Sequence, residues 1–256
     1  MGGAKDYVIH SDAEIAGIRL AGGVAATVRE KLATLIRTGM STKEIDELAQ
    51  SLIESAGGRC AFLGYRGFPS HICVSPNDTV VHGIGKADQI IRNGDIVSLD
   101  IGVLLDGCVG DTATTVMVGE SGPEAKYLLR HTEQAMYEGI KAAVCDNYVW
   151  HISEAVERCA KSAKLGIVRE YVGHGCGLKL HEPPEVPNFK SSKKGPRLMP
   201  GMILAIEPML NLGSHRVFTE DDGWTVRTSD GRLSAHFEHM VLITTNGPEI
   251  LTWPRI

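Results

Sequence analysis

Residues 96–119 read IVSLDIGVLLDGCVGDTATTVMVG. Two largely apolar runs flank Asp106-Gly107, the two-residue signal of a type I′ hairpin, so the segment predicts two antiparallel strands joined by a tight turn. With those two residues as the loop, Leu105 opposes Cys108 and Gly102 opposes Asp111. Asp100 lies on the same strand face as Gly102, which makes Asp100 and Asp111 diagonal neighbours with Cβ atoms about 7 Å apart or less. The apolar flanks place that face in a core, where a carboxylate is costly unless it is paired or holds a cation.

The approach to Asp100, GDIVSLD at 94–100, has a counterpart in GMILAIE at 201–207. Both are buried-strand patterns that stop on an acid, so Asp100 and Glu207 are each expected at a strand end. HGIGK at 82–86 pairs in the same way with HGCGLK at 174–179, giving each half a histidine on a His-Gly-x-Gly turn. Upstream, Ser11-x-x-Glu14 and Ser41-x-x-Glu44 have the form of capping boxes. They predict a long helix ending near Gly39 and a shorter one closed by Gly57-Gly58. Helices predicted from Ser121-Gly-Pro-Glu124 and over about 151–165 repeat that order before strands resume. Two copies of one helix, helix, strands module follow from this. The stretch HEPPEVPNFKSSKKGPR at 181–197 is expected to be an irregular excursion between the second histidine and the second acid.

With 256 residues and 43% hydrophobic content the chain can bury a substantial core, and no linker or low-complexity block divides it, so residues 1–256 are expected to form one domain. A net charge of -5 gives no general pull toward DNA or an anionic membrane. Six dispersed cysteines without a C-x-x-C pair point to reduced thiols and a cytoplasmic protein. The start MGGAKDYVIH lacks the layout of a signal peptide, no apolar run reaches the ~20 residues of a membrane span, and Asp6 breaks the myristoylation pattern that begins at Gly2.

Two acids as close as Asp100 and Asp111 force one to hold a proton unless cations sit between them. A shared proton is the device of aspartic proteases, whose acids come from Asp-Thr-Gly loops, not from one hairpin. Glu207, Glu238 in HFEHMVLI, and His174 extend the set to four carboxylates and an imidazole. That donor set suits two hard-to-borderline divalent ions about 3.5–4 Å apart. Neither G-x-S-x-G nor H-E-x-x-H occurs.

VVHGI, VSLDIG, GDTATT, GHGCGLKLHEPP, IEPML, DGWTV and FEHMVLIT, in that order along nearly the whole chain, resemble the motif series of the type I methionine aminopeptidases. The resemblance implies the pita-bread fold of class α+β, in which two pseudo-symmetric halves place helices over a curved antiparallel sheet with two metals at the centre. Carried over by position, the metal ligands fall on Asp100, Asp111, His174, Glu207 and Glu238. Glu207 is implied as proton shuttle, His181 as the group that stabilises the oxyanion, and His82 as the contact to the amide nitrogen beyond the scissile bond. The methionine pocket falls on Tyr65, Phe68, Cys73 and Trp224, with Phe62 and Leu180 as neighbours. Leu180, Phe62, His236 and Gly85 depart from the commoner residues at their positions, an aromatic, a small residue or cysteine, glutamine and proline respectively.

The implied reaction is removal of N-terminal methionine before a small second residue, with Fe, Mn, Co, Ni or Zn as candidate metals. Implied partners are nascent polypeptide N-termini, met by a monomer, with the basic run Lys190, Lys193, Lys194 and Arg197 as a candidate ribosome contact. Proline-specific peptidases share the ligand set but usually carry a further N-terminal domain. Metal-free binding modules of the same fold have lost ligands, whereas all five types are present here. His10, His71, His131, His151, His215 and His239 are read as structural.

Overall fold

The structure, a computed structural model, describes residues 6–254, so Gly2 lies outside the described residues. Among the described residues four α-helices appear in two pairs, α1 (Asp12–Leu35) with α2 (Thr42–Ser55) and α3 (Pro123–Ala142) with α4 (Val149–Ser162), each pair preceding a set of strands. The predicted duplication is visible in that order. Both capping boxes form: the Ser11 and Ser41 hydroxyls each accept from the backbone N–H of the glutamate three residues on, whose carboxylate reaches back to the cap. Helix α1 stops at Leu35, four residues short of Gly39, because Ile36 turns to extended backbone.

Every strand pairing among the described residues is antiparallel, and the ladders form four sheets. One is built on Ile96–Leu105, which pairs with Arg59–Cys60, Cys73–Pro76 and Cys108–Met117. Its counterpart has five strands, with Ile203–Ile206 between His239–Thr244 and Gly173–Gly175, and Glu182–Val186 beyond. Two three-stranded sheets carry Met209–Asn211 and Val226–Thr228 as their central strands. The apolar core divides in the same way. Leu32, Ile45, Ile53, Leu99 and Ile101 fill one half, and Leu128, Ile152, Val156, Leu204 and Val241 the other. Between them lies a third cluster containing Phe62, Phe68, Cys73, Cys176, Leu180 and Met240.

The two halves are stitched where strand Cys108–Met117 meets residues 236–240. Glu238 N–H donates to the Ala113 carbonyl at 3.0 Å, and the Thr112 hydroxyl donates to the Glu238 carbonyl at 2.9 Å. The Thr115 hydroxyl donates to the His236 carbonyl and accepts from its N–H. No helix among the described residues is long and apolar enough to cross a membrane.

Candidate metal centre and active-site cavity

The hairpin forms in the predicted register: Leu105 faces Cys108 and Gly102 faces Asp111, with Asp106 and Gly107 both at positive φ. Asp100 is the fifth residue of the ten-residue strand Ile96–Leu105, so it sits mid-strand and not at the strand end expected from its apolar run. Glu207 does follow the end of its strand, Ile203–Ile206. The difference has a simple cause: the first strand continues past its acid into a tight turn, whereas Pro208 follows the second acid at once.

His82, expected on a turn, sits in an irregular loop with φ +58 just after strand Thr79–Val81. His174, expected on an equivalent turn, lies inside strand Gly173–Gly175. Its flanking glycines serve close approach: a Cβ on Gly173 would collide with the Ala205 carbonyl oxygen, and one on Gly175 would meet that of Pro183 at 2.5 Å. The start of the expected irregular excursion is likewise a strand, Glu182–Val186, which shields one side of His174.

Four acids and His174 converge. Ligand atoms of Asp111, His174 and Glu238 lie within 4.8 Å of one another. His174 Nε2 is 3.3 Å from Glu207 Oε1 and 3.9 Å from Asp111 Oδ2. Asp111 and Glu238 are buried and Asp100 and Glu207 half-buried, and all four line a cavity of about 380 Å³. Burial pushes Asp100 up to about 7 and Glu207 up to about 8. It also lifts Asp111 and Glu238 well above the carboxylate range, each raised further by the neighbouring acids. The same desolvation drives His174 down to about 3, so the imidazole is neutral.

These residues fit a divalent metal. The Gly175 carbonyl accepts from His174 Nδ1 at 3.0 Å, which leaves the Nε2 lone pair facing the acids, as in a metal-binding histidine. Asp100 Oδ1 and Glu238 Oε1 are buried without a hydrogen-bond partner. A dry cluster of four carboxylates with orphaned oxygens is stable only if it holds protons or cations.

Phe62, Tyr65, Phe68, Cys73, His82, Leu180, His181 and Trp224, all named from sequence, line the cavity with the acids. The Tyr65 hydroxyl is 2.9 Å from His181 Nδ1, and the Phe68 ring packs edge-on to Trp224 at 5.2 Å. Burial lowers His82 and His181 to about 4, with Arg66 adding to the effect on His181, so both are neutral at pH 7. Phe62 has a clear seat: its ring lies directly on Gly102, where any Cβ would strike it. Gly85, in place of proline, packs against Thr42, Lys43 and Asp46 at the start of α2.

Arg66, Glu170, Tyr171, Val172 and Met209 also line the cavity and were not evident in the sequence. Tyr171 and Val172 directly precede the GHG strand, and Met209 lies within IEPML itself, so proximity to the motifs was the available signal. His236, noted only as a departure, points Nε2 at Glu207 Oε2 from 3.3 Å.

A family model described as Metallopeptidase family M24 matches residues 16–245. A methionine aminopeptidase of Clostridium perfringens is 45% identical over 245 residues, 96% of this chain and 98% of that protein. Among solved structures, the methionine aminopeptidase from Thermotoga maritima superposes with a TM-score of 0.94 at 37% identity, covering 96% of this chain and 99% of that one. The prolidase from Pyrococcus furiosus shares the fold, at TM-score 0.77 and 20% identity, with 98% of this chain covering 66% of that longer one. The matched family model, the end-to-end identity and the superposition agree: the chain belongs to metallopeptidase family M24 and, within it, to the methionine aminopeptidases.

Proposed function

We infer that this protein removes the N-terminal methionine from polypeptides by metal-dependent hydrolysis. The observation that carries this is the convergence of Asp100, Asp111, His174, Glu207 and Glu238 on one cavity, in a chain 45% identical to a methionine aminopeptidase. Those five residues are our ligand set for two divalent ions, with Fe, Mn, Co, Ni and Zn all compatible with carboxylates and one histidine. Bound there, such ions supply a water acidified toward neutral pH and a Lewis-acid hold on the scissile carbonyl.

The chain's own groups do the rest. Glu207, on the cavity wall beside His174, takes a proton from the attacking water and passes it to the leaving amine. His181 is neutral, and with the Tyr65 hydroxyl donating to Nδ1 its Nε2–H is free to meet the oxyanion. His82, which lines the cavity with Tyr171 edge-on at 5.2 Å, contacts the amide beyond the scissile bond. Tyr65, Phe68, Cys73 and Trp224 enclose the methionine side chain, whose thioether gains from aromatic neighbours.

The substrates are nascent chains with a small second residue, met in the cytosol by a monomer. Free thiols at all six cysteines suit that compartment. For a ribosome contact the basic loop offers fewer free charges than its sequence implied. Lys190 pairs with Glu154 and Arg197 with Asp146, and Lys194 Nζ lies over the Tyr148 ring at 5.3 Å, which leaves Lys193 as the charge most available to an acidic surface.

Mass spectrometry of Met-Gly-Ser and Met-Leu-Ser peptides after incubation with Mn²⁺-loaded protein tests the function. Methionine should leave the first peptide only, and Asp111→Asn should abolish the reaction. Cleavage of a Gly-Pro dipeptide with both methionyl peptides intact would instead assign a proline-specific peptidase.

A further inference from the structure

His236 departs from the family pattern and lies against a candidate ligand. Its backbone is fixed twice by Thr115, whose hydroxyl accepts from the His236 N–H at 2.9 Å and donates to its carbonyl at 2.8 Å. The side chain is almost wholly buried, and Nε2 has no hydrogen-bond partner. The acceptor it faces is Glu207 Oε2 at 3.3 Å. The other oxygen of that carboxylate, Oε1, is 3.3 Å from His174 Nε2, so Glu207 stands between two imidazoles. His174 carries its ring proton on Nδ1, spent on the Gly175 carbonyl, and presents a lone pair. One bracketing ring is therefore a lone-pair donor, and the carboxylate gains most if the other brings an N–H.

We propose that His236 is a positioning residue for Glu207: its Nε2–H donates to Oε2 and leaves Oε1 as the oxygen that turns to a cation. This rests on the reading of the cluster as a metal centre and adds to it a named hydrogen-bond donor behind one ligand. Partners of this kind set ligand orientation, and their loss typically weakens metal binding about 10- to 100-fold. A glutamine amide has a similar reach and also donates, so the proposal makes the proton, and not the ring, the operative feature.

The experiment is calorimetric titration of the metal-free protein with Mn²⁺ alone, in wild type, His236→Gln and His236→Leu, with Asp111→Asn as reference. Leucine keeps much of the ring volume without a donor. Its Kd should rise about 10- to 100-fold, with glutamine within about threefold of wild type. Wild-type affinity in His236→Leu, while Asp111→Asn loses binding, would overturn the proposal and leave the metal centre standing. Failure of the wild type to bind any divalent ion would instead remove the metal reading itself. Equal losses in the glutamine and leucine variants would also overturn it, because His236 would then act through its nitrogen lone pair as a ligand. Should the leucine variant not fold, ¹⁵N-histidine NMR of the Zn²⁺-loaded wild type decides the matter: a protonated Nε2 on His236 is required, and an unprotonated or metal-bound one refutes it.

Discussion

Gly102 opposes Asp111 in the hairpin and is covered by the Phe62 ring, so the absence of one methyl group sets the floor of the cavity. Gly102→Ala should push that ring into the methionine pocket, cost about 1–3 kcal/mol of stability as overpacking, and raise KM several-fold. Adding Phe62→Ala should restore most of the KM, a coupling that a double-mutant cycle measures directly. His181→Ala should behave differently, lowering kcat about 10²- to 10³-fold with KM little changed, since its N–H acts on charge that develops only in the transition state. At this scale the sequence was most legible. Every side chain singled out from motif order lies on the cavity or among the acids. Arg66 and Tyr171 escaped notice because they come from short segments whose burial obeys no helical or strand period.

Among the elements, α2 does more than cover a sheet. Buried Asp46, on its inner face, accepts the backbone N–H groups of His71 and Ile72 at 2.9 and 3.0 Å and binds the His71 ring at 2.7 Å. It thereby fixes the chain entering strand Cys73–Pro76, whose first residue pairs with Asp100. Asp46→Ala strands those two N–H donors and should cost about 2–4 kcal/mol, read as a lower midpoint in urea with an unchanged m-value. The helices were legible because their caps and apolar spacing are local signals. The strand nature of His174 and of Glu182–Val186 was not, because glycine and proline there answer to close contacts with other strands. Such contacts follow from tertiary packing, which a local pattern does not encode.

The whole molecule gathers its acids from both copies of the module, Asp100 and Asp111 from the first and Glu207 and Glu238 from the second. Folding raises their proton affinities, Asp100 to about 7 and Glu207 to about 8, above unfolded values near 4. Below about pH 6.5 the buried neutral His82, His174, His181 and His239 act in the opposite sense. Above that pH, where unfolded histidines have lost their protons, the folded chain binds more protons than the unfolded one, so without metal its stability falls as pH rises from about 6.5 to 8. Scanning calorimetry in EDTA should show Tm declining over that window, and excess Mn²⁺ should reverse the decline at pH 8, since an ion bound only by the folded state adds its binding free energy to stability. The duplication was legible from recurring order, whereas the stitching of strand Cys108–Met117 to residues 236–240 was not, since it joins segments more than a hundred residues apart. That seam runs directly behind the acids. An occupant held by carboxylates from both sides acts as a clasp, so chelation should speed amide exchange along both ladders at once, and a cell short of the metal would hold a looser protein as well as an idle one.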